Sequence, residues 1–127
     1  VKHQQLFIDH AYWTAERKRL QEAGSEEMSK CDRVQAGLER FKFNEKTCIE
    51  SVHEAWRSQP GDPYSGGPSF EEDWLEAISE GSVCEHCINV RDLRKQRMAA
   101  GRKLGGIRSA ITRIGQRLAK ANGGGCD

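Results

Sequence analysis

Nine positions toward the end of this 127-residue chain constrain its fold more than any other feature. Val90, Leu93, Arg97, Ala100, Leu104, Ile107, Ile111, Ile114 and Leu118 recur at alternating steps of three and four residues without a slip. That spacing keeps every member on one stripe of an α-helix and predicts about 30 helical residues, a rod near 45 Å long. Only Arg97 breaks the apolar seam. A stripe of this length has to be covered, so the fold class expected is all-α: a bundle of about four helices with a long C-terminal helix. Gly101, Gly105, Gly106 and Gly115 weaken that helix by up to about 1 kcal/mol each relative to alanine. Four such positions imply another helix packed closely over them.

Upstream, Leu6, Phe7, Ile8, Ala11, Trp13, Ala15 and Leu20 fit a first helix from about Gln4 to Ala23, though with imperfect periodicity. Gly24 then reads as a left-handed C-cap and Ser25 as the next N-cap, a tight helix–helix corner with Glu26 and Glu27 at the positive end of the following dipole. Past it, Met28, Cys31, Val34, Leu38, Phe41, Glu45, Cys48, Val52 and Trp56 form a second seam. Phe43–Asn44 is a point of interruption, and the pattern fits one long helix or two. Residues 58–69 hold all three prolines and read as a loop. Ser69 and Glu72 form a capping box ahead of a short helix with Phe70, Trp74, Leu75 and Ile78 on one face, closed by Gly81. Residues 1–120 thus read as a single helical domain and 121–127 as a flexible tail.

The formal charge of +1 averages two opposed segments. Residues 1–86 carry ten Lys/Arg against seventeen Asp/Glu, whereas residues 87–120 carry ten Lys/Arg and the single acid Asp92. A helix this basic either lies against its own acidic neighbours or meets an anionic partner. No apolar run approaches the roughly 18 residues of a membrane span, and no secretory leader is expected, so the setting expected is cytoplasmic with no membrane partner.

Five cysteines are present: Cys31, Cys48, Cys84, Cys87 and Cys126. Cys84-Glu85-His86-Cys87 is a C-x-x-C, a spacing that lets two thiolates reach one ion from a single turn. It falls where a helix begins, and the positive end of that dipole favours thiolate over thiol. The remaining ligands of a structural zinc must come from distant residues. Cys48 is favoured as the third and His53 is taken as the fourth, with Cys31 and His86 as the other candidates. Cys48 and His53 are five residues apart, about 140° around an ideal helix, so both reach one ion only if the helix starts or breaks between them. Two other readings remain open: small buried hydrophobes, and a thiol redox pair, although no strand precedes Cys84 to build the usual redox setting. An odd cysteine count argues against a secreted disulfide framework.

No P-loop, Gly-x-Ser-x-Gly or His-Glu-x-x-His occurs, and the expectation is that the protein is not an enzyme. Trp13, Trp56 and Trp74 each have apolar helical neighbours and read as core. The stretch from Val83 through Lys120, a lone C-x-x-C ahead of a basic helix, resembles small phage- or prophage-encoded bacterial proteins. That resemblance implies a bacterial cytoplasmic setting and binding rather than turnover. Two classes of function follow. The first is nucleic-acid binding to DNA or RNA by a basic C-terminal helix, with Arg94, Lys95, Arg102, Arg108, Arg113 and Arg117 as the contact set. The second is a protein-binding module, an inhibitor or adaptor docking on a host or phage protein. Neutralisation of the basic helix by the chain's own acids favours the second, and the Leu104/Ile107/Ile111/Ile114 face also permits a homodimer.

Overall fold

The computed structural model describes residues 2–61 and 66–122. Among the described residues the architecture is all-α, with five helices and no strand: α1 (Lys2–Ser29), α2 (Asp32–Glu39), α3 (Cys48–Arg57), α4 (Phe70–Ser79) and α5 (Glu85–Asn122). The chain divides into two compact units. Unit 1 comprises residues 1–22 and 93–127, and unit 2 comprises residues 23–92. The expected loop lies partly, at 62–65, outside the described residues, as does the expected tail from 123 onward, including Cys126. Ala121 and Asn122 belong to α5.

The corner expected at Gly24–Ser25 does not form, because α1 runs through both residues without a break. A mid-helix glycine costs only about 1 kcal/mol, and the turn beyond it is held by packing. Met28 lies against the buried core of unit 2, and the Glu27 carboxylate meets His86 Nδ1 at 2.7 Å and accepts from Asn89 Nδ2 at 3.1 Å. The second seam resolves into two helices, α2 and α3, with residues 40–47 between them, which raises the count from four to five.

The end of α2 explains the break. Phe41 N–H donates to Leu38 O at 3.1 Å and Lys42 N–H to Gly37 O at 2.8 Å, a Schellman closure with Phe41 in the left-handed position at φ 58°. The chain then doubles back over Gly37 so tightly that a Cβ there would sit 2.8 Å from that of Glu45. α3 starts at a Thr47 N-cap whose hydroxyl accepts from Glu50 N–H at 3.2 Å. α4 starts on the expected Ser69 cap, which accepts from Glu72 N–H at 3.2 Å, and ends on Gly81 at φ 74°.

Unit 2 is built on a buried cluster of Cys31, Cys48, Ile49, Trp74, Cys87 and Val90. Beside it, the Trp56, Phe70 and Trp74 rings pack together, Trp56 Nε1 donates to Pro68 O at 2.8 Å, and the Arg91 guanidinium lies 4.8 Å from the Phe70 ring centre and pairs with Glu71. In unit 1, Leu20 of α1 and Ala100, Leu104 and Ile107 of α5 are buried. Lys103 Nζ lies 5.9 Å from the Trp13 ring, and Arg17 approaches Gly101, so α1 and α5 run antiparallel here. The close packing expected over the four glycines is confined to Gly101. A Cβ there would lie 3.8 Å from Arg17 Nε, while at Gly105, Gly106 and Gly115 it would meet nothing within 4 Å among the described residues. Gly105 and Gly106 point away from the buried stripe, and Gly115, though on its side, lies beyond Ile107, the last buried residue of α5 among the described residues.

Candidate metal centre and cationic face

Four cysteines converge in unit 2. The Sγ atoms of Cys31, Cys48, Cys84 and Cys87 all lie within 4.8 Å of one another, and those of Cys31 and Cys48 are 3.7 Å apart. Cys31, Cys48 and Cys87 are buried and Cys84 is half-buried. A set of four thiols at this separation is chemically suited to hold one metal ion.

Each cysteine arrives at the cluster from the start of a helix. Cys31 is the N-cap of α2, Cys48 is the first residue of α3, Cys84 immediately precedes α5, and Cys87 lies in the first turn of α5. Helix N-termini carry unsatisfied N–H groups and the positive end of the peptide dipole, so three helix starts point partial positive charge at a place where thiolates gather. The effect falls on Cys31. Burial pushes its thiol up, but N–H groups of Cys48, Val34 and Arg33 and the neighbouring Cys87 thiol outweigh that and bring it down to about 7. Burial pushes Cys48 up to about 11, with the Cys31 sulfur adding to the rise, and burial drives Cys87 higher still. Of these three sulfurs Cys31 is thus the one most readily ionised, and Cys48 and Cys87 resist it. A divalent cation would replace the other protons and stabilise all four sulfurs as thiolates.

The C-x-x-C turn is fixed from outside by its own middle residue. His86 Nδ1 contacts Glu27, and hydrogen bonding to His86 and then to Asn89 holds the Glu27 carboxyl below its usual range. Of the ligands expected from sequence, Cys84, Cys87 and Cys48 come together. His53 does not join them. Because α3 begins at Cys48 and continues unbroken, the 140° offset stands, and the His53 ring packs 5.5 Å from that of Trp56 and 5.2 Å from that of Phe70. Cys31 takes the fourth place. The sequence signal that distinguishes it is its position at a helix start, just ahead of Asp32, a feature it shares with Cys48 and the C-x-x-C pair.

The cationic face belongs to unit 1, which carries thirteen Lys/Arg against four Asp/Glu; unit 2 carries seven against fifteen. Of the expected contact set, Lys95, Arg102, Arg108, Arg113 and Arg117 are exposed and Arg94 is half-buried. Among the described residues, Arg102, Arg108, Arg113 and Arg117 take part in no ion pair, and the acids that do pair take other partners, Glu71 with Arg91 and Glu27 with His86. Helical geometry sets Lys95, Arg102, Arg113 and Arg117 on the side of α5 away from Leu104, whereas Arg94 and Arg108 flank the buried stripe. No helix among the described residues is long and apolar enough to cross a membrane. In comparisons with known proteins the chain matches no family model, no curated protein and no solved structure.

Proposed function

We propose that this chain is a zinc-stapled helical binding protein that holds nucleic acid by its phosphates along α5. The observation carrying this reading is the row of exposed arginines, Arg102, Arg108, Arg113 and Arg117, without ion pairs among the described residues, in a unit whose bases outnumber its acids thirteen to four. Unpaired cations spaced along a rod release counterions when they meet phosphates, and they recognise the backbone rather than base edges. Zinc is supported by distance. A Zn–S bond of about 2.3 Å places tetrahedral sulfurs about 3.8 Å apart, close to the 3.7 Å between Cys31 and Cys48. A polynuclear iron–sulfur cluster, with its irons spread over several ångströms, needs its cysteines farther apart.

The test is fluorescence anisotropy of labelled random-sequence duplex and single-stranded oligonucleotides across a salt series. Binding weakens steeply with salt, and the Arg102→Glu, Arg113→Glu, Arg117→Glu triple variant lowers the slope of log affinity against log salt by about three, at roughly 0.9 per lost phosphate contact on duplex DNA. Absence of binding at low salt removes this function.

A second reading, docking on a host or phage protein as an inhibitor or adaptor, has its own support in unit 2. Leu38, Phe41 and Phe43 are exposed around the turn that follows α2, interleaved with the exposed cations Arg40 and Lys42. Exposed aromatics beside arginine are the residue types that anchor protein interfaces, and the acidic surroundings disfavour a polyanion at this place.

A further inference from the structure

Apolar residues occupy two sides of α1. On one side Leu20 is buried and Trp13 half-buried. Successive 100° steps set Phe7, Ile8, Ala11, Tyr12 and Ala15 within about 140° of arc on the opposite side. These five are exposed, Phe7 at 60%, Ile8 at 54% and Tyr12 at 58%. No third described helix belongs to unit 1. Two antiparallel helices can cover only one face of each other, so this second apolar face of α1 has no cover within its own unit.

We infer that this face is a homodimer interface, in which α1 of a second copy lies antiparallel across it about a twofold axis near Ala11. Three features of the patch select a second copy. Its centre is Ala11, small enough for two helices to approach closely. An antiparallel partner sets Phe7 of one copy over Ala15 of the other, so bulk meets space on both sides of the axis, as an isologous contact requires. The cations Lys18 and Arg19 lie past only the C-terminal end of the patch. Antiparallel pairing sets them beside the uncharged Gln4 and Gln5 of the other copy, whereas parallel pairing would bring four cations together. Two α1–α5 hairpins joined this way make a four-helix bundle, in which helical hairpins acquire a full core. This interface differs from the one the sequence alone suggested, the Leu104/Ile107/Ile111/Ile114 face of α5, of which Leu104 and Ile107 are already buried and Ile111 and Ile114 are half-buried.

Each copy brings thirteen Lys/Arg against four Asp/Glu in unit 1, so the two copies repel, and salt screens the repulsion. Dimerisation therefore strengthens as salt rises, the opposite of phosphate binding along α5, and the two processes are separable in one titration. The experiment is sedimentation velocity on the full metal-loaded chain under reducing conditions, over a concentration series at low and high salt. The expected result is a monomer–dimer equilibrium that tightens with salt. Ile8→Glu and Tyr12→Glu each raise the dissociation constant at least about tenfold, since each buries a charge in an apolar contact. Both side chains are exposed in the single copy, so far-UV circular dichroism of the variants stays that of the parent, while Leu75→Ser, which removes an exposed apolar side chain of α4, leaves dimerisation unchanged. A chain that remains monomeric at every concentration and salt overturns the inference. So does association that Ile8→Glu and Tyr12→Glu leave intact, which would place the contact on another face.

Discussion

The two units are held together in opposite ways. Unit 2 gathers short helices of 8, 10 and 10 residues, each below the length at which a helix stands alone in water, and brings the beginnings of α2, α3 and α5 together at four sulfurs. Unit 1 lays stretches of two long helices, of 28 and 38 residues in all, side by side and joins their flanks along an apolar stripe. The difference carries over to charge. A metal held by four thiolates would be net negative and would sit where helix dipoles are positive, in the unit whose own side chains are acidic. Among its described residues the basic unit gathers no such cluster, and Arg102, Arg108, Arg113 and Arg117 are exposed. Packing along helix sides fixes a rod; chemistry at helix ends fixes a compact knot from pieces that would not fold separately.

Removing the proposed metal is the largest perturbation available to break that contrast. With a strong chelator, or in the Cys84→Ala, Cys87→Ala double variant, unit 2 loses several kcal/mol of stabilisation, because the free energy of binding a structural metal is folding free energy. Hydrogen exchange read by mass spectrometry then shows protection lost across residues 32–57 and 70–79, while residues 97–114 keep theirs. Elemental analysis of the same samples shows about one zinc per chain in the parent and none in the double variant. Zinc content unchanged in the variant would remove Cys84 and Cys87 as ligands, and uniform loss of protection would erase the distinction between the units.

The reciprocal perturbation acts on the seam. Leu104 is 2% exposed, and Leu104→Ala leaves a cavity between α1 and α5 costing about 2–5 kcal/mol. The expected result is a lowered urea midpoint, with protection lost first around 97–111 and metal content unchanged. Loss of zinc in this variant would mean that lateral packing and the metal centre stabilise one indivisible structure.

How much of this was legible in the sequence follows from the same contrast. The α5 seam was readable because lateral packing writes itself as a period: Leu104, Ile107 and Ile111 repeat on one stripe, and burial falls there. The Ser69 cap was readable because its chemistry is local. α1 was only partly readable, since its apolar residues lie on both sides of the helix and their periodicities cancel. Gly24 misled because its local preference for a turn is outweighed by the contacts of Glu27 with His86 and Asn89, about sixty positions away, and by the packing of Met28 on the buried core. The cysteine cluster was legible at Cys84, Cys87 and Cys48, but the fourth sulfur was not singled out. Convergence of helix starts leaves no period, and recognising Cys31 needed the knowledge that a helix begins at Asp32, which the run from Met28 to Trp56 conceals.

The smallest effect sharpens the contrast within unit 2 itself. α2 and α4 end in the same closure, with an N–H reaching back to the carbonyl five residues earlier: Lys42 to Gly37 and Ser82 to Ala77, at 2.8 and 2.9 Å. At the left-handed position α4 has Gly81, φ 74°, and α2 has Phe41, φ 58°. A side chain with a Cβ is strained there by about 1 kcal/mol, and Phe41 recovers little by burial because it is 82% exposed. Phe41→Gly therefore stabilises the protein by up to about 0.5 kcal/mol once the added freedom of the unfolded chain is subtracted, a reversal of the usual effect of introducing glycine. Gly81→Phe, the mirror change at the end of α4, destabilises by a similar amount. Paired thermal or urea unfolding of the two variants checks the signs. A destabilised Phe41→Gly would mean that the Phe41 ring packs in solution against something that fixes it, and that residues 40–43 are less open than their exposure indicates.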